Sequence, residues 1–166
     1  NGENAVLIAA AWVLYASSAR EEAAPVLRLL GGNTGLRGAY FLYGLALIAF
    51  GLSHFAYLEL TAPLVPAWLG APVFWAYLTA CIYLVAGILL VAGFAAGLGA
   101  ALAALQITLI TLLVWGPVAA RGHLSAGNWQ ETVVSWSLAV ASLVIAASFE
   151  GRAWVVRRNA AAPAAT

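Results

Sequence analysis

Long apolar runs, broken by short polar or glycine- and proline-containing stretches, dominate the chain. About 20 apolar residues at 1.5 Å each cross roughly 30 Å of hydrocarbon, so runs near that length predict transmembrane helices. Five are read. The first, Ala5 to Ser18, is short and leads into a polar loop at 19–37 with Arg20, Glu21, Glu22, Arg28, Arg37 and a Gly-Gly-Asn-Thr-Gly breaker. The second covers Gly38 to Leu58. Glu59 to Ala71 holds two prolines and is too short to cross. Pro72 then suits the first turn of the third span, where its missing N–H costs nothing; this span reaches Val91, and Gly93 to Gly97 turns the chain. The fourth span, Leu98 to Trp115, closes at Gly116-Pro117, and a loop follows at 118–128. Asn128 with Glu131 reads as a helix cap with its acidic N3 partner, opening a fifth span that ends near Phe149.

The expected fold class is therefore all-α, an integral membrane helical bundle of five transmembrane helices. It divides into an N-terminal helix and cytoplasmic loop at 1–37, a four-helix membrane unit at 38–150 and a basic cytoplasmic tail at 151–166. The end beyond Asn159, rich in alanine and proline, is expected to be disordered.

Composition sharpens this picture. The chain has 166 residues, 64% hydrophobic and 8% charged, more apolar surface than a soluble chain of this size can bury. With no methionine, residue 1 is expected not to be the translated start, and the alanine-rich opening is compatible with a signal-sequence remnant. The single cysteine, Cys81, rules out an internal disulfide or a CxxC redox pair. A net charge of +1 gives no sign of nucleic acid.

Arginine placement orients the spans. Arg20, Arg28, Arg37, Arg152, Arg157 and Arg158 fall on one side and Arg121 alone on the other. Cytoplasmic loops retain positive charge, so the expected location is a bacterial inner membrane, with the N-terminus outside and the C-terminus cytoplasmic. The same topology gathers His54, Tyr57, Glu59, Trp68, Trp75, Trp115, Arg121, His123, Trp129 and Glu131 at the outer face.

Each of these side chains admits two readings. His54 shares a helix face with Leu47 and Gly51 and is expected to point into the bundle. There it either bonds a quinone carbonyl or relays a proton, or it is a neutral histidine bonded to a neighbouring helix. Glu59 lies about 140° around the helix from His54. It is a solvated carboxylate, or it accepts a proton or pairs with Arg121. Tyr57 is a belt residue or part of His54's surroundings. Pro63, Pro66 and Trp68 mark a non-helical stretch whose Leu60, Leu64, Val65 and Leu69 either cover the bundle mouth or anchor it in lipid. Glu131, Ser135, Leu138 and Ser142 form a stripe expected to face other helices. Glu131 itself is a cap, or is buried and needs Arg121 or His54 as partner. Trp75, Thr79 and Tyr83 form an aromatic stripe read as packing or as a cofactor face. Gln106, deep in the fourth span, reads as interhelical glue.

Taken in order, His54-Phe55, Tyr57, Val65-Pro66-Ala67-Trp68, Phe74-Trp75-Ala76-Tyr77-Leu78-Thr79, Ala86-Gly87 and Asn128-Trp129 with Glu131 resemble the DoxX-like membrane protein family. The resemblance covers residues 38–150 and implies a small four-helix bundle. Several members of that family are subunits of, or partners to, membrane oxidoreductases such as thiosulfate:quinone oxidoreductase. The first helix has no counterpart in the pattern. Tyr83 and the surroundings of Trp115 carry aromatics where the family often has a histidine or an acid, which favours packing against other proteins over catalysis.

Three functions are compared. The first is an accessory subunit of a membrane oxidoreductase, electron-transfer or energy-converting complex. It would contact the lipid bilayer and other membrane subunits, and no cofactor would be intrinsic to it. The second is a quinone-interacting subunit, with a quinone or lipid held by His54, Tyr57, Glu59, Trp68, Trp75, Arg121 and Glu131. With two histidines and one cysteine, electrons would have to come from a partner. A transporter ranks last, since the third and fourth runs offer few polar groups to line a path.

Overall fold

A computed structural model describes residues 2–18, 30–122 and 125–151. Six α-helices carry the fold: α1 (Gly2–Ser18), α2 (Gly32–Ala56), the single-turn α3 (Leu58–Thr61), α4 (Pro72–Ala92), α5 (Ala96–Ala120) and α6 (Ala126–Ala147). Two 3-10 turns, Ala62–Leu64 and Ala67–Leu69, connect α3 to α4. Four helices, α2, α4, α5 and α6, are long and apolar enough to cross a membrane. This is a multi-pass membrane architecture. The 17-residue α1 packs beside them, with Val6, Ala9, Ala10, Val13 and Ala16 buried.

The long helices close into a ring. α1 lies against α2, α2 against α4, α4 against α5, α5 against α6, and α6 returns to α1. Small residues set the spacing along the tightest seams. A Cβ added at Gly87 would sit 2.7 Å from the Gly44 carbonyl oxygen, and one at Gly51 would sit 2.9 Å from that of Ala80. At Gly99 the gap to the Ala86 carbonyl oxygen would be 2.6 Å. Glycine is thus required where α2, α4 and α5 touch backbone to backbone, the means by which helices associate in lipid, where burying apolar surface gives no net gain. Tyr43, Leu47 and Ile145 fill the middle of the ring, fully buried with Val6 and Val13 of α1.

One end of the ring is tied shut. The Tyr40 hydroxyl lies 2.9 Å from that of Ser148, and the Tyr40 ring stacks on Phe149 with centroids 4.3 Å apart. Nearby, the Trp12 indole donates to the Leu30 carbonyl at 2.9 Å, and its ring occupies the space left by Gly38.

Several boundaries differ from the sequence reading. α2 starts at Gly32, so Arg37 stands exposed on its first turns rather than in a loop. α5 does not stop at Gly116-Pro117. It widens into a π-helical turn at Thr111–Trp115 and runs on to Ala120. Proline has no N–H to donate and crowds the carbonyl four residues back, and a wider turn just ahead of Pro117 relieves both. The cap of α6 is Ser125, whose hydroxyl accepts from the Asn128 backbone N–H at 3.2 Å, so Asn128 is inside the helix and does not cap it. The serine cap had gone unread because Asn128 and Glu131 mimic its spacing three residues later. Arg20, Glu21, Glu22, Arg28, His123, Arg152, Arg157 and Arg158 lie outside the described residues.

Candidate functional site

The end of the ring away from Tyr40 holds two cavities that share a wall. The first, about 350 Å³, lies between α4 and α5 under the segment that joins α3 to α4. Its roof is Thr61, Leu64, Val65, Pro66 and Leu69; Trp75, Thr79 and Ile82 of α4 form one side, and Leu102, Gln106, Leu109 and Leu113 of α5 the other. The second, about 370 Å³, is bounded by Phe50, Ser53, Tyr57, Leu60, Trp115 and Glu131. His54, Thr61 and Leu64 border both.

The roof is shaped by its backbone. The helical path of α2 breaks at Tyr57, and Pro63 and Pro66 each occupy positions where no N–H is needed. Gly70 and Ala71 then both take positive φ, 63° and 43°, Ala71 in the left-handed helical region immediately before Pro72. For an alanine preceding a proline this is strained, because the α region is disfavoured there and the left-handed form adds to the cost. Leu64, Val65 and Leu69, ahead of this turn, line the cavity. The segment has two faces, since Leu60 and Leu64 also remain exposed. Trp68 points the other way and is 71% exposed.

His54 is held from two sides. Its Nδ1 lies 2.8 Å from the Phe50 carbonyl oxygen, one turn back on α2, and its ring packs at 5.4 Å against Tyr83 of α4. It is half-buried, so it turns towards the bundle as expected but bonds its own helix rather than a neighbouring one. A carbonyl oxygen only accepts, so Nδ1 carries the hydrogen and Nε2 is the nitrogen left for another partner.

Gln106 closes the inner end of the first cavity. Its Nε2 donates to the Thr79 carbonyl at 3.0 Å, an α4–α5 tie that matches its reading as interhelical glue. Its Oε1 is buried without a hydrogen-bond partner, although the Tyr83 side chain is its neighbour. Thr111, at the start of the π turn, shares its hydroxyl hydrogen between the Ile107 carbonyl at 2.8 Å and the Ser135 carbonyl at 3.1 Å. That bond fixes the wide turn to α6 and aims Leu113 and Val114 at the first cavity and Trp115 at the second.

Of the side chains singled out from sequence, His54 and Trp75 meet at the first cavity, and His54, Tyr57 and Glu131 at the second. Glu59, Trp68 and Arg121 are exposed and border neither. The α6 stripe faces inward at Ser142, which is fully buried, and less so at Ser135 and Leu138, while Glu131 is exposed. The leucine wall of α5 was missed from sequence, since leucines at helical spacing in a membrane span look like lipid-facing surface.

Compared with known proteins, the chain matches no family model, no curated protein and no solved structure.

Proposed function

We propose that the chain is a membrane subunit of an oxidoreductase or another electron-transfer or energy-converting complex. In this reading its cavity under the Leu64–Leu69 roof receives the head group of a quinone-class lipophile, and electrons are supplied by a partner. The observation that carries the reading is the composition of that cavity. Apolar walls from three elements surround a few polar groups: His54, Thr61, Trp75, Thr79 and Gln106. A volume near 350 Å³ lies at the low end of small-molecule sites, which run from roughly 300 to 1,000 Å³. The walls continue onto exposed Leu78 and Leu105, giving a long tail a route into the bilayer.

The DoxX-like resemblance of residues 38–150 supports a role beside a membrane oxidoreductase. The arginine distribution supports placing the cavity at the outer face of a bacterial inner membrane, with the C-terminus in the cytoplasm. α1, with 17 residues, meets the lower length limit of a spanning helix and supports a fifth crossing. The reading is tested with the protein in lipid nanodiscs and a short-chain prenyl benzoquinone as probe. Saturable binding that disappears in Leu105→Trp, which fills the cavity, is the expected result. Binding that is unsaturable, or unchanged by the filling, contradicts it. Affinity purification from native membranes tests the assembly, with co-elution of a redox-active subunit expected.

A further inference from the structure

Resting on that reading, the polarity of His54 narrows the ligand further. Its Nδ1 is committed to the Phe50 carbonyl, which fixes the tautomer of the neutral ring and leaves Nε2 as a lone-pair acceptor. Gln106 spends one amide N–H on the Thr79 carbonyl and keeps its Oε1 buried, so neither end competes for the acceptor on His54. A ketone or quinone oxygen accepts and cannot donate, so it leaves His54 Nε2 unpaired. A hydroxyl does both.

We infer that the cavity selects a lipophile headed by a hydroxyl, a hydroquinone rather than its quinone, with the O–H donated to His54 Nε2. Half-buried His54 lines both cavities, together with Thr61 and Leu64, so a head group in either one lies beside it. An acceptor shielded by apolar walls penalises a head group that cannot donate, because the lone pair then loses water without compensation. One hydrogen bond supplies about three- to tenfold in affinity.

The test uses the whole chain in lipid nanodiscs and three probes with one skeleton: a short-chain prenyl hydroquinone, its quinone, and its dimethyl ether. Binding is read by native mass spectrometry under anaerobic conditions. The hydroquinone is expected to bind about three- to tenfold more tightly than the quinone or ether. His54→Phe, which keeps a ring against Tyr83, is expected to erase that preference while retaining weak binding of all three. Equal binding of the three by the wild-type chain, or tighter binding of the quinone, overturns the inference but leaves the proposed site standing. Failure of all three to bind overturns both. Should His54→Phe fail to fold, the wild-type ranking alone decides.

Discussion

At one end of the bundle the helices are locked together; at the other they are held apart. The locked end spends its polar groups on one another. Tyr40 bonds Ser148 and stacks on Phe149, while Trp12 bonds the Leu30 carbonyl. The other end carries the irregular backbone: the break at Tyr57, the positive-φ Gly70–Ala71 pair and the π turn before Pro117. Each of these departures borders or frames a cavity. Irregular backbone within a membrane bundle survives where protein or water covers it, and here it is used to make space. The two ends differ in kind: side-chain pairing closes one, and irregular backbone leaves cavities at the other.

That contrast can be broken by substitution. The largest effect is expected at the seam itself. Gly87→Leu forces α2 and α4 apart at the Gly44 contact, and a loss of about 3 kcal/mol or more, or failure to fold, should appear in thermal unfolding in detergent. Next is Tyr40→Ala at the locked end, which removes a buried ring and the hydroxyl paired with Ser148. A loss of about 3–5 kcal/mol is expected by the same assay, with probe binding at the far end preserved. Loss of binding alongside folding would show that the ends are not independent.

Gln106→Leu cuts the α4–α5 tie but also removes a buried oxygen that lacks a partner. Membrane hydrogen bonds average about 0.6 kcal/mol, so its stability should change by less than about 1 kcal/mol. The smallest effect belongs to Trp68→Ala, within about 0.5 kcal/mol, because the side chain is 71% exposed and faces away from the cavity. A large loss there would mean that Trp68 is an anchor on which the roof depends.

Much of the bundle was legible in the residues. Apolar runs located the crossing helices because the bilayer fixes their length. Gly44 and Gly51 meet α4 at backbone distance, as small residues do where helices associate in lipid. His54, Tyr57 and Glu131, grouped from the sequence, line one cavity. Other features were hidden for physical reasons. Gly116-Pro117 reads as a stop, yet a proline is accommodated when the preceding turn widens, and the pairing of Thr111 with the Ser135 carbonyl ties that turn to α6. The α5 leucines could not be told from lipid-facing ones, because lipid and an apolar cavity select the same side chains. Nor does periodicity reveal that His54 bonds backward to Phe50, since that depends on a side-chain rotamer.

The most direct measurement is photo-crosslinking of a prenyl hydroquinone bearing a diazirine on its ring, in vesicles that contain the full chain. Labelled peptides should cover Thr61 to Leu69 and Leu102 to Val114, with labelling suppressed by excess unlabelled probe. Label spread evenly over outward surfaces such as Val140 and Leu143, and unaffected by competitor, would contradict a site at the open end.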